Sequence, residues 1–275
     1  MLHCISSTSG TRPGPAQSRL GVPMQLWHTI VQGGGILSIF AVTVFNLITL
    51  WRSSVPPPRL GSRGAPRRFL CLSVDVQGYA RNDDIRQAEI QHDLIDLLDR
   101  AGARAGLDRR RWIRQPAGDA ELALIPSAEA PSRVVGDFCL ELAAALSRYN
   151  RVRDPVARMR LRLALDDGPA DVARNGFAGQ AVVGAGRLVN AAPPRQALDL
   201  AGTADLAVIL SDGVHRDWVR SGRSAVRPGW CRHVAVVEKE YAADAWLWLP
   251  GADVHGLALA GRGEEHVDVG APDLG

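Results

Sequence analysis

Phe69–Tyr79 reads FLCLSVDVQGY. Phe69–Val76 is a nearly continuous apolar run of strand length, as a strand buried inside a sheet requires, and it carries an acid, Asp75, next to its end. Gln77-Gly78-Tyr79 then turns the chain towards a helix. This arrangement sets a carboxylate beside helix N-terminal amides, so Asp75 is a candidate ligand for a divalent cation. The amides of Gln77, Gly78 and Tyr79 are candidate donors to phosphate oxygens.

The pattern beyond that strand predicts the rest of the domain. Asp83–Ala103 places Ile90, Leu94, Leu97, Leu98 and Ala101 on one helical stripe and has an acidic first turn, which the helix dipole favours. RWIRQ and AELALIP, joined at Pro116-Ala117-Gly118-Asp119, form a hairpin. A helix over about 133–150 follows, then a strand MRLRLAL at Met159–Leu165 and one helix running through GQAVVGAGRLVN to about Leu200. Ala204–Ser211 is a further strand and Asp212–Arg220 a short helix. HVAVVEKEY and AWLWLP close the domain as a second hairpin. The order β-α-β-β-α-β is that of a ferredoxin-like core, here with a C-terminal extension, so the class is α+β.

In such a sheet the first strand and the central hairpin are neighbours. Asp119, at the hairpin tip after Gly118, would therefore reach the same site as Asp75. Two carboxylates completed by substrate phosphates are a common way to bind magnesium. Taken singly, Asp75 as a cap and Asp119 as a turn former are the plainer readings; the pair gives them chemistry.

Composition narrows the function classes. The 275 residues carry a net charge of only +3, which argues against a nucleic-acid binder. Cys4, Cys71, Cys139 and Cys231 form no CxxC pair, and the seven histidines have no metal-ligand spacing. Between Arg19 and Arg52 no Asp, Glu, Lys or Arg occurs, and 28–51 is read as a transmembrane helix. The 23 residues from Thr29 to Trp51 would reach about 34 Å, enough for a hydrocarbon core of about 30 Å, and Trp27 and Trp51 stand where interfacial aromatics belong. No small-x-small cleavage site follows, which disfavours a signal peptide; a buried core helix is the remaining alternative. Arg52, Arg59, Arg63, Arg67 and Arg68 outnumber Arg12 and Arg19, so the C-terminal bulk is expected in the cytoplasm, on a single-pass plasma-membrane anchor in contact with lipid. The expected organisation is thus a short segment 1–27, with Met24 as an alternative start; the span 28–51; a Pro/Arg-rich linker 52–67; a catalytic-type domain 68–250; and a disordered tail 251–275.

Several pieces carry a resemblance. SVDVQGY resembles the D-[IV]-x-G-[FY] metal motif of the class III nucleotide cyclases, the adenylyl and guanylyl cyclase catalytic domains. QPAGDAELALIP resembles that family's K-x-x-G-D motif, LRLALDDGPA its next strand, and FAGQAVVGAGRLVN its G-x-x-V-N-x-A-x-R-L helix. LAVILSDGVH and the Trp246 strand follow in the family's order, so the resemblance spans about 69–249. It implies a nucleotide cyclase fold that binds a nucleoside triphosphate and two Mg2+ or Mn2+ ions. The metals would be held by Asp75, Asp119 and the main-chain carbonyl of Val76. Arg187 would stabilise charge on the phosphates as the 3'-oxygen attacks. It implies a homodimer, or a heterodimer with another cyclase-like chain, with the site at the interface.

Three positions depart from the family pattern. Val183 stands where an asparagine orients the ribose, one helical turn before Arg187. Gln115 stands at the purine-selecting lysine and Gly176 at its partner acid. Lys239 is the only lysine, so no local shift of alignment restores the missing one. Losing one positioning donor slows phosphoryl transfer by about 10² to 10³, while an amide at 115 still donates and accepts. The expectation is a membrane-anchored cyclase-like signalling protein, degenerate for purine cyclisation, acting as a nucleotide- and metal-binding or dimerising regulatory module. The alternatives are an active cyclase of altered base specificity, pyrimidines included, and a purely structural interaction domain.

Overall fold

The computed structural model describes residues 67–259. The expected segment 1–27, the span 28–51 and nearly all of the linker lie outside the described residues. Among the described residues, no helix is long and apolar enough to cross a membrane.

Strand β1, Arg68–Val76, is the third of seven strands in the main sheet. Its alternate residues feed two cores, which is why its sequence is apolar almost throughout. Leu70, Leu72, Val74 and Val76 pack with α1 (Asp84–Arg104) and α2 (Cys139–Asn150). Phe69 and Cys71 pack on the other face against Ala181, Val182 and Ala185 of α3, Gln180–Asn190. By the strand's period of two, Asp75 points to the same face as Cys71 and Ser73. Burying each large apolar side chain in these layers contributes about 1.5–3 kcal/mol.

The hairpin β2 (Ile113–Ala117) and β3 (Ala120–Pro126) lies antiparallel beside β1, and β4 (Leu161–Pro169) lies antiparallel on its other side. This β2-β3-β1-β4 order is the expected ferredoxin-like core. The extension is β7 (Leu206–Ser211), parallel to β4, followed by the hairpin of β8 (Arg232–Glu238) and β9 (Tyr241–Trp248).

The helix expected over Asp83–Ala103 is α1, capped by Asp83, whose carboxylate accepts from the amide of Arg86 at 2.8 Å; a single 3-10 turn, Tyr79–Arg81, lies between it and β1. Three local expectations are corrected. Strand β4 runs to Pro169, and a small hairpin of β5 (Asp171–Ala173) and β6 (Gly176–Ala178) follows it. The single helix expected up to Leu200 is two, α3 and α4 (Ala192–Leu200), separated at extended Ala191. Pro193 and Pro194 have no N–H to continue the ladder of α3, and the freed carbonyl of Asn190 accepts from Arg195 at 3.0 Å. Finally, residues 251–259 do not belong to a disordered tail. Val254 is buried in the core with Ala252, Leu257 and Leu259 against it, and Arg232 donates to the Leu257 carbonyl at 2.6 Å. Sparse apolar residues without a period were enough to dock this stretch.

Candidate functional site

The two acids meet where β1 ends. Asp75 pairs in register with Ala120, and the amide of Val76 donates to the carbonyl of Asp119 at 3.0 Å. Gly118, with φ 65°, takes the first position of the two-residue turn, where a side chain would be strained, and Asp119 the second. Both carboxylates are buried, Asp75 5% and Asp119 8% exposed. Burial, with the Asp75 carboxylate adding to it, pushes Asp119 up to about 6. Burial also raises Asp75, against the opposing charges of Arg162 and then Arg195.

Arg162 is the residue the sequence reading missed. It lies in β4 directly across from Asp75, and its Nη2 donates to Asp75 Oδ1. The side chain is 9% exposed, and its Nε and Nη1 are buried without a protein partner among the described residues. Unspent donors on a buried guanidinium beside two carboxylates suit an anion that arrives from outside. A signal was present in MRLRLAL: Arg160 and Arg162 repeat at a spacing of two within an apolar strand, which puts both on one face.

The three turn residues are placed differently from the sequence reading. The amide of Gln77 donates to the carbonyl of Arg160 at 2.8 Å, so it is not open to a phosphate. The Gln77 side chain donates to Asp199 Oδ1 at 2.6 Å. Gly78 adopts φ 77° to enter the 3-10 turn, and the Tyr79 hydroxyl accepts from Gln91 at 2.5 Å. One turn of 3-10 helix has little of the dipole that a long helix would aim at an anion.

Gln115 and Gly176 are neighbours. A Cβ on Gly176, whose φ is 100°, would lie 2.7 Å from Gln115 Oε1. Bare backbone at 176 therefore leaves the space that the Gln115 amide occupies. Arg187 and Val183 lie on α3. Arg187 is held by Glu240, in the β8–β9 turn, at 2.5 Å, and Val183 is 45% exposed. Within one chain Asp75 is ion-paired to Arg162 and Arg187 to Glu240, so the acids and Arg187 are not brought to a common partner.

Among the described residues there is no group of three or more His, Cys, Asp or Glu side chains that could hold a metal ion. The acid pair is the smaller set that magnesium accepts when phosphates supply the remaining ligands.

No family model matches the chain, and no curated protein does. Solved structures do. They include the guanylyl cyclase Cya2 (14% identity, TM-score 0.47, covering 74% of this chain and 97% of that one). An adenylate/guanylate cyclase/hydrolase from Silicibacter pomeroyi has 19% identity and TM-score 0.47, covering 67% and 98%. A bacterial light-regulated adenylyl cyclase has 12% identity and TM-score 0.48, covering 80% and 67%. The fold described above rests on this chain's own strand order and register.

Proposed function

We propose that this chain is a membrane-anchored, class III nucleotide cyclase-like signalling module that binds a nucleoside triphosphate with Mg2+ or Mn2+, works as a dimer, and is degenerate for purine cyclisation. The observation that carries the reading is the buried carboxylate pair of Asp75 and Asp119, in which the Asp75 carboxylate adds to the cost of ionising Asp119 and so favours a cation between them. Asp75, Asp119 and the Val76 carbonyl would hold the metal; when bound, it would supply charge neutralisation to the phosphates. Arg162 would then be released from Asp75 to donate to a phosphate oxygen. Arg187, on a different part of the chain, would serve the acid pair of a second copy, which is the reason for proposing a dimer. Val183 offers the ribose no hydrogen bond, which is the basis for weak or absent cyclisation. The apolar stretch 28–51 followed by arginines is the basis for a plasma-membrane anchor with the domain in the cytoplasm.

A second reading has its own observation. Gln115 beside the bare backbone of Gly176 offers a base one amide, able to donate and accept, with no acid or lysine. An active cyclase of altered base specificity, pyrimidines included, follows from it.

One experiment separates the readings. The full-length chain in nanodiscs is incubated with each of the four NTPs and Mn2+, with calorimetry for binding and mass spectrometry for a 3',5'-cyclic product. Binding without product is the expected result. A cyclic product lost in Asp75→Asn would establish the second reading, and no binding of any NTP would leave a purely structural interaction domain.

A further inference from the structure

Between the end of β7 at Ser211 and the start of β8 at Arg232 the chain leaves the sheet for a segment of unlike composition. Residues 216–232 carry Arg216, Arg220, Arg223, Arg227 and Arg232 against one acid, Asp217, in a chain whose bases and acids are nearly matched at 32 and 29. The amides of Arg223 and Ser224 both donate to the carbonyl of Trp218, at 3.1 and 2.9 Å, so the segment folds tightly after Arg220. Arg220, Arg223 and Arg227 are exposed, and among the described residues no carboxylate pairs with any of them. The acids around them are engaged elsewhere. Asp212 and Asp217 pair with Arg216, Asp244 with His233, and Asp253 accepts from the amide of His255 at 2.9 Å. Three unmatched guanidiniums on one surface suit a run of carboxylates.

The same chain supplies such a run, and its course brings it here. Residues 251–259 return to the basic segment: Arg232 donates to the carbonyls of Val254 at 3.2 Å and Leu257 at 2.6 Å, and His255 Nε2 lies 3.1 Å from the carbonyl oxygen of Gly229. Val254, buried in the core, fixes this return. The sequence beyond Leu259 carries Glu264, Glu265, Asp268 and Asp273 against one base, Arg262, with His266 among them. From His255 to Glu264 the chain reaches up to about 30 Å. Gly229 to Arg220 is the same number of residues in a folded stretch, so all three arginines are within that reach. A tether this short also keeps the acids at a high effective concentration over the arginines.

We propose that residues 260–275 fold back over the arginine surface of 220–230, with Glu264, Glu265 and Asp268 meeting Arg220, Arg223 and Arg227. The chain thereby covers its own anion-binding surface, and an outside anion must displace the cover to bind there. Each exposed pair is weak alone and screened by salt, so the contact depends on several acting together. The proposal is independent of nucleotide binding at the acid pair.

The test measures how closely the two stretches are held in the full chain. Ser221→Cys and Val267→Cys are introduced together, beside the arginines and the acids without removing any of them; Cys71, Cys139 and Cys231 are buried, and Cys4→Ser removes the remaining thiol. In neutral-lipid nanodiscs, the disulfide equilibrium with glutathione gives the effective concentration of the two engineered thiols. Glu264→Gln, Glu265→Gln and Asp268→Asn in combination are expected to lower it by about fivefold or more, with an unchanged melting temperature. Arg220→Gln, Arg223→Gln and Arg227→Gln in combination should lower it equally, as should raising NaCl from about 0.05 M to about 0.5 M. If neutralising either set leaves it unaltered, the tether alone brings the thiols together and the inference fails. It fails also if the unaltered charges show the same fall in nanodiscs of anionic lipid, which would assign the arginines to the bilayer surface.

Discussion

The end of β1 and the helix α3, the two halves of the proposed site, are built by opposite rules. At β1 the charged groups are buried: Asp75 with Arg162, Asp119 in its turn and, behind the hairpin, Glu121 accepting two hydrogen bonds from Arg109 at 3.0 and 3.1 Å. On α3 the pairing reaches the surface, with half-buried Arg187 joined to a Glu240 side chain that is 74% exposed and Val183 facing outward. Buried charge is costly to leave unpaired, so the first half is committed to its geometry even without ligand. Exposed charge is screened and adaptable, so the second half depends on what it meets.

The contrast is sharpest in unfolding experiments. Glu121→Ala would leave buried Arg109 with Asp99 as its one carboxylate partner among the described residues, and a loss of about 3 kcal/mol is expected from urea unfolding. A loss below about 1 kcal/mol would show the hairpin's charges to be effectively solvated. Asp75→Asn is expected to reduce Mn2+-dependent nucleotide affinity by about 10² or more by calorimetry, because a neutral amide replaces a metal-binding carboxylate next to Arg162.

Titration probes the same half more gently. Burial raises Asp119 to about 6, whereas an unfolded aspartate releases its proton near pH 4. Between about pH 4 and 6 the folded state therefore binds more protons than the unfolded one, so the stability of the metal-free protein should fall as pH rises through that window. Asp75, Asp166 and Glu121 are also raised, chiefly by burial, and act in the same direction. Melting temperatures across pH 4–7, with Asp119→Asn giving a flatter profile, check this. Metal affinity should run the other way, since a cation needs both carboxylates ionised. The smallest effects belong to α3. Arg187→Ala and Glu240→Ala should each change stability by less than about 1 kcal/mol, and by less still in high salt. Val183→Asn should leave stability within about 0.5 kcal/mol while increasing any cyclic product measured by mass spectrometry.

Much of the sheet was legible in advance because its signals are local and redundant. The β1 run, the Gly118-Asp119 turn and the stripe Ile90–Ala101 each specify an element through periodicity or turn chemistry, and chain order then leaves few ways to pair them. The α3–α4 break was less visible: Pro193 and Pro194 signalled it, but the apolar pattern on both sides suggested one continuous helix. The small hairpin β5–β6 was missed because two three-residue strands carry too little pattern to register. The docking of 251–259 was missed because burial of Val254 depends on what lies beneath it.

By itself, the sequence determined which residues could do chemistry: two aspartates at strand and turn ends, an arginine on an apolar helix, and a glutamine, a glycine and a valine at positions where charged or hydrogen-bonding groups would be expected of a cyclase. Only the tertiary structure decided which of these share surroundings. Register across β1 and β4 set Arg162 against Asp75, the turn after β1 gave up the Gln77 amide to Arg160, and α4 brought Asp199 to the Gln77 side chain. Periodicity and turn preference act over a few residues and are written in the chain. Pairing of charges 87 positions apart is selected by the cost of burying either one alone, and that cost exists only once the sheet has closed around them.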